Sequence, residues 1–223
     1  MFFNYKESIY HADRNEIVIE ICRGKRVLHI GACDSPHSLE KLELSTLLHT
    51  KITDVASECL GIDIDRKSID LLRDKGVNNI EFRDMYDLDK SKFDADVIVL
   101  GETIEHLVNP GECLASLHRY MGDSAQLIVS TPNCLGLWLF TQALRNFEKI
   151  HDDHQIGFTL GLLSQHLHRS GFEIHQFYFT FLPRDKTHWW RHCWRRIARF
   201  RPGLAETLCV ICSKNLSTRS ISG

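Results

Sequence analysis

Four short apolar runs constrain this chain more than any other feature in it. RVLHI, CLGIDI, DVIVLG and AQLIVST have the length and β-branched content of buried strands, and segments of helical character separate them. Strands that alternate with helices imply βαβ units and a mostly parallel sheet, because a parallel neighbour is reached only through a crossover. Two helices carry explicit signals. Asp65 stands as N-cap before RKSIDLLRDKG, which sets Ile69 and Leu72 on one face and closes with Gly76. In NPGECLASLHRYMG, Asn109 is the cap, Pro110 takes the first helical position and Glu112 completes a capping box. Cys113, Leu114, Leu117 and Met121 then form the buried stripe.

At 223 residues, 43% hydrophobic and 25% charged, the chain suits one medium domain with an ordinary core. No run reaches the roughly eighteen apolar residues of a membrane span, and Met1 to Tyr10 lacks the pattern of a secretory signal. The expected address is the cytoplasm, with peripheral contact at a membrane left open. Eight cysteines at irregular spacing read as reduced thiols rather than a disulfide framework. Cys209 and Cys212, three apart on a strand, point to opposite faces and do not make a zinc site.

The tail changes character, with a strand pattern in GFEIHQFYF, another in ETLCVICSK, and PRDKTHWWRHCWRRIARFRPG between them. From Arg184 to Arg201 seven Lys or Arg face one Asp, a local charge of +6 in a chain of net −2, so the remainder carries about −8. On a helix, Trp190, Cys193, Trp194, Ile197 and Phe200 share one face, with Arg191, Arg195, Arg196 and Arg199 around the other. Either the aromatic face docks on the sheet and the arginines are solvated, or the segment over 183–203 is a surface for an anionic partner such as lipid, a phosphorylated carrier or nucleic acid. Its tryptophan stripe also suits a homodimer.

The candidate site begins at VLHIGACDSPHS. In an open α/β sheet, ligands sit at the carboxyl ends of the strands, and the first strand-to-helix turn lets its backbone approach them. Gly31 meets that need, but Cys33 and Pro36 stand where a pyrophosphate loop places its other glycines. A ligand without phosphate can still use the turn. Asp63, in LGIDID, lies where a carboxylate can accept from both hydroxyls of a ribose, and Asp84, in NIEFRDMYDL, lies where one can bind an exocyclic amine. Ribose and adenine without phosphate point to S-adenosylmethionine rather than NAD.

Together VLHIGACDS, LGIDID, EFRDMYDL, FDADVIVLGETIEHLVNPGECLASLHRYM, AQLIVSTPN and DDHQIGFTLGLLSQHLHRSGFEI resemble the class I S-adenosylmethionine-dependent methyltransferases, from about Arg26 to Phe179. The most specific part is E-x-x-E-H-L-x-x-P, then S-T-P-N, then a histidine ahead of a final G-F-E strand. The branch most similar holds ubiquinone-pathway O-methyltransferases and the methyltransferases of glycan and natural-product gene clusters. The resemblance implies a doubly wound, Rossmann-like α/β domain over residues 1–223. Its sheet has seven strands with the last antiparallel, a helical segment over 1–24 precedes it, and the basic segment is inserted before the last strand.

By position, the resemblance assigns Gly31 and Ala32 to the amino-acid part of the cofactor, Asp63 and Ile64 to its ribose, Asp84 and Met85 to its adenine, and Gly101 with Glu102 to the sulfonium side. The family's G-C-G appears here as Gly31, Ala32, Cys33. Methyl transfer is an in-line displacement at an activated carbon, so the protein aligns the nucleophile and takes its proton. Glu105, His106 and His154 are the catalytic candidates, and the expected reaction is O-methylation of a sugar, lipid-linked or small hydroxylated acceptor, in a cleft covered by residues 135–155. No metal is expected. Were one bound, small-RNA 2′-O-methyltransferases, which are similar in this motif, imply Glu102, Glu105, His106 and His154 as its ligands and an RNA ribose as acceptor. A third reading is a cofactor-binding module without catalysis.

Overall fold

The computed structural model describes residues 9–11, 13–182 and 189–216. One sheet of eight strands organises them: β1 (Ile9–Tyr10), β2 (Arg26–Ile30), β3 (Glu58–Asp63), β4 (Ile80–Phe82), β5 (Val97–Gly101), β6 (Gln126–Pro132), β7 (Phe172–Thr180) and β8 (Thr207–Lys214). Their order across the sheet is β1-β7-β8-β6-β5-β2-β3-β4, with β8 antiparallel to both its neighbours and the other pairings parallel. Seven strands and a final antiparallel one match the expectation. The eighth, β1, is a two-residue addition at the edge beside β7.

Helices cover both faces: α1 (Arg14–Cys22), α2 (Ser38–Glu43), α3 (Leu48–Thr53), α4 (Arg66–Asp74), α5 (Pro110–Tyr120), α6 (Leu137–Leu144), α7 (Leu160–Arg169) and α8 (Trp189–Phe200). Alternation along the strands splits the core between the faces, since successive side chains on a strand point oppositely. Leu28, Ile98, Leu100, Leu127 and Val129 pack with α5 and α7, whereas Val27, Val97, Val99 and Ile128 pack with α1 and α3. Cys209 and Cys212 of β8 fall on these opposite faces as their spacing requires, and all eight cysteines are unpaired thiols.

The capping signals are realised as hydrogen bonds. The Asp65 carboxylate accepts from Ser68 N at 3.3 Å and from Ser68 Oγ at 2.7 Å. Asn109 Oδ1 accepts from Glu112 N at 3.2 Å, while Asn109 Nδ2 donates to the Glu112 carboxylate at 3.4 Å. These bonds satisfy amides that the first helical turn leaves without partners.

Two expectations need correction. The helical segment expected over 1–24 is a helix only from Arg14 to Cys22, capped by Asp13, whose side chain accepts from Asn15 N at 2.7 Å; Ile9 and Tyr10 are strand, and residues 1–8 lie outside the described residues. In the basic segment, α8 forms, but of the two alternatives the docking of its aromatic face is not realised: Trp194 is half-buried against Trp138 and the rest of the described stripe looks outward. Cys193, Ile197 and Phe200 are exposed, Ala198 is buried, and the Arg195 guanidinium lies 5.5 Å from the centre of the Phe181 ring. Phe181 already closes the core at this corner, so the helix meets it with a small side chain and a stacked guanidinium. Residues 183–188, and the side chains of Trp189, Trp190 and Arg191, lie outside the described residues.

Candidate functional site

After β2 the chain runs outward through β3 and β4, then returns to lay β5 on the other side of β2. Strand order therefore reverses between β2 and β5, and a crevice opens at their carboxyl ends, where such sheets bind ligands. Gly31 ends one strand and Gly101 with Glu102 ends the other.

The turn after β2 is built for close approach. Gly31 has φ +72°, and a Cβ there would meet Thr103 Oγ1 at 2.5 Å. Gly31 N and Ala32 N both donate to Ile62 O, at 3.0 and 3.2 Å, so the turn is pinned to β3. We expect Gly31→Ala to lower the free energy of unfolding by about 2 kcal/mol, since a left-handed alanine alone costs about 1–2 kcal/mol. Urea denaturation measures it, and a Thr103→Ala background is expected to return part of the loss by removing the clash.

Asp63 holds this turn from the next strand. One carboxylate oxygen accepts from Cys33 N at 2.9 Å and the other from Asp65 N at 3.0 Å. The Cys33 thiol is fully buried with Leu47, Ile69 and Leu72, and burial followed by the charge of the neighbouring Asp63 pushes its pKa up. Ile64 is exposed beside Asp63, the Asp84 carboxylate accepts from Tyr86 N at 3.0 Å, and the half-buried Met85 receives the Cys113 thiol at 3.2 Å. Ile64, Asp84 and Met85 thus lie where β3 and β4 end, with an exposed apolar side chain and a carboxylate available for a planar heterocycle.

Glu102, like Asp34 of the turn after β2 at φ +57°, is held in the left-handed region, with φ +49°. Non-glycine residues seldom adopt this region, at a cost on the order of 1–3 kcal/mol, and do so mainly at functional sites. Its Oε1 is buried without a hydrogen-bond partner, and burial raises its pKa despite the Arg14 charge. Arg14, from α1, passes under Gly101, where a Cβ would meet its Nη1 at 2.8 Å, and donates to Ser130 Oγ at 3.1 Å. A buried acceptor with no partner, beside a glycine that admits no side chain, fits a cationic ligand group.

Glu105 and His106 lie on the turn after β5. The Glu105 carboxyl is buried, accepts from Thr131 Oγ1 at 3.0 Å, and is driven up in pKa by desolvation and then by Glu102. Its backbone oxygen accepts from Gln155 N at 2.8 Å and Ile156 N at 3.1 Å, and His106 Nδ1 donates to Asp153 O at 3.2 Å. These bonds clamp residues 151–156 onto the turn and bring His154 to His106, with ring centres 4.8 Å apart. His151, which no local pattern singles out from its loop, completes the group: nitrogens of His106, His151 and His154 lie within 4.8 Å of one another. Among the described residues, this trio is the group able to hold a metal ion, and neither Glu102 nor Glu105 belongs to it. Burial lowers the His154 pKa, and so do His106 and His151, while Asp153 opposes them. Arg14 and Thr103 likewise carry no sequence signal, since their partners are distant in sequence or lie in the backbone.

A family model described as a methyltransferase domain matches residues 12–177. No curated protein matches the sequence. Among solved structures, an S-adenosylmethionine-dependent methyltransferase from Archaeoglobus fulgidus superposes with TM-score 0.55 at 20% identity, over 90% of this chain and 94% of that one. Magnesium protoporphyrin IX methyltransferase from Synechocystis PCC 6803, with S-adenosylhomocysteine bound, gives 0.56 at 14% identity over 90% and 81%. A small RNA methyltransferase gives 0.60 at 18% identity, over 90% of this chain but 25% of that one. These structures share the fold. The family match, spanning most of the chain with the crevice at its centre, makes the protein a member of the methyltransferase domain family: a class I, S-adenosylmethionine-dependent methyltransferase.

Proposed function

We propose that the methyl acceptor is a hydroxyl group, on a sugar, a lipid-linked molecule or a small hydroxylated compound. The observation that carries this reading is the place of His154, half-buried and clamped against His106 on the turn after β5, at the same end of the sheet as Gly31 and Glu102. A hydroxyl must lose its proton as its oxygen is methylated, and a neutral imidazole at the mouth of the crevice can take it.

S-adenosylmethionine, when bound, supplies a methyl carbon activated by its sulfonium. In this reading Gly31 and Ala32 offer the turn to its amino-acid part, Asp63 and Ile64 support the ribose, and Asp84 and Met85 flank the adenine. Gly101 keeps the sulfonium side open, and the partnerless Glu102 oxygen faces the positive charge. Glu105 acts as a positioning residue, because its backbone oxygen holds the His154 loop. Residues 135–155 cover the acceptor, and the Arg195, Arg196 and Arg199 side of α8 supports contact with an anionic partner.

Transfer of labelled methyl to a panel of hydroxyl, amine and thiol acceptors tests this. His154→Gln is expected to lower kcat at least about 100-fold while the cofactor Kd stays unchanged, as removal of a general base does. Transfer confined to amines or thiols would refute the reading. A second reading, metal-assisted methylation of an RNA ribose, is favoured by the three convergent imidazoles. Loss of transfer in EDTA, restored by a divalent cation and seen with a 3′-terminal ribose as acceptor, would select it.

A further inference from the structure

α6 is built inside out. Its one fully buried residue is the polar Gln142, 1% exposed, while Trp138, Phe140 and Leu144 stand 39, 55 and 68% exposed. A helix on the surface of a globular protein normally turns its apolar stripe to the core. The chain after α6 continues the pattern with exposed Phe147 and Ile150, and α8 adds Ile197 and Phe200, 43 and 75% exposed.

These side chains belong to one surface. The Trp138 and Trp194 rings lie 5.8 Å apart, joining α6 to α8. Asn133, just before α6, donates through Nδ2 to Gly203 O at 2.9 Å and Ala205 O at 2.8 Å, just after α8. At Gly136 a Cβ would meet Asn133 O at 2.9 Å and Ala205 O at 3.2 Å, so the two segments are seated backbone to backbone.

The same surface is cationic. Residues 137–150 and 189–201 contain Arg145, Lys149, Arg191, Arg195, Arg196, Arg199 and Arg201, seven cations against the single Glu148, in a chain whose net charge is −2. Arg145, Lys149, Arg196 and Arg199 are exposed, and none forms an ion pair with a described acidic residue. Exposed tryptophan, phenylalanine and leucine interleaved with arginine is the composition of a surface that lies in the interfacial plane of a membrane.

We propose that the α6–α8 face docks on an anionic lipid bilayer, with Phe140, Leu144, Ile197 and Phe200 entering the acyl boundary and the arginines on headgroup phosphates. Charge argues for lipid over a second copy of the chain, because a two-fold interface would set the same cations against each other. The aliphatic side chains argue against nucleic acid, which asks for aromatic faces to stack on and gains nothing from leucine or isoleucine. No helix among the described residues is long and apolar enough to cross a membrane, so the contact is peripheral. The inference rests on the anionic-partner reading of α8 and is independent of which acceptor is methylated.

Vesicle co-sedimentation of the full chain tests it, with phosphatidylcholine alone and with two parts phosphatidylcholine to one part phosphatidylglycerol. The wild type is expected to bind the anionic vesicles at least about tenfold more than the neutral ones. Phe140→Ser with Phe200→Ser is expected to cut that binding about tenfold while S-adenosylmethionine binding, by calorimetry, stays as in the wild type. Binding that is abolished by half-molar salt and indifferent to the serine substitutions overturns bilayer insertion but leaves the anionic reading standing. No vesicle binding by a chain that sediments as a monomer defeats both. No vesicle binding by a chain that sediments as a dimer, and becomes a monomer in the serine variant, overturns the proposal in favour of self-association.

Discussion

Asp63→Ala is expected to weaken S-adenosylmethionine binding by about 100-fold or more, measured by calorimetric titration of the purified protein. Two effects add. The carboxylate anchors the turn after β2 through Cys33 N at 2.9 Å and Asp65 N at 3.0 Å, so its loss frees the backbone that Gly31 presents. In the proposed reading it also accepts from the ribose hydroxyls. Hydrogen bonds to a charged group contribute about 1.5–3 kcal/mol each, and about 2.7 kcal/mol is already a factor of 100 in affinity. Asp63→Asn, which keeps one acceptor oxygen, is expected to fall between the two. Urea denaturation without ligand separates loss of the loop from loss of the contact, and a Kd within threefold of wild type in a folded Ala variant would remove Asp63 from the site.

The second large effect concerns acid stability. His29 of β2 and His49 of α3 are buried against each other, with Nδ1 atoms 3.3 Å apart and rings stacked at 5.5 Å. One neutral ring donates and the other accepts; with both protonated, two donors would face each other. Burial lowers His29 well below the usual range, helped by His49 and Arg14, and lowers His49 to about 4 against an opposing contribution from Asn79. The thiol of Cys59 is the other titratable group at His49, 3.9 Å from its Nδ1.

The sign follows from proton counting. Below the unfolded value near 6.5 the unfolded chain takes up a proton that folded His49 refuses, so stability falls as pH drops from about 6.5 to about 4. For His49 the loss is roughly 3 kcal/mol over that window. The raised carboxyls of Glu102 and Glu105 act in the opposite direction, since they favour the fold at low pH, so a wild-type profile alone mixes the two. Comparison with His49→Asn isolates the histidine. Between pH 7 and pH 4 the difference in unfolding free energy is expected to move by roughly 3 kcal/mol in favour of the variant. A difference constant with pH would mean that His49 titrates equally in both states.

Local rules made much of this molecule readable. Capping by Asp65 and Asn109 depends on residues three positions apart, and the apolar runs that became β2, β3, β5 and β6 satisfy a period that needs no distant partner. Gly31, Asp63 and Glu102 were locatable for a related reason: once a strand is placed, the residue at its carboxyl end is placed with it. The strand β1 was not legible, because two residues carry no period and are strand only where β7 offers an edge. Arg14 was hidden as well, its role set by packing beneath Gly101 from a helix at the start of the family match.

The amino-acid sequence by itself determined the main alternation of strands and helices, the turns at the carboxyl ends of β2, β3 and β5, and a ligand with ribose and adenine but no pyrophosphate. Tertiary structure alone decided which faces are covered. Amphipathic spacing marks an apolar stripe on α8 but not what meets it, and packing at Phe181 turned that stripe outward. α6 likewise buries Gln142 and exposes its aromatics, and His151 joined His106 and His154 only when backbone bonds to Glu105 and Asp153 folded their loop back. Such outcomes rest on contacts between residues far apart in the chain, whose energies no local pattern encodes.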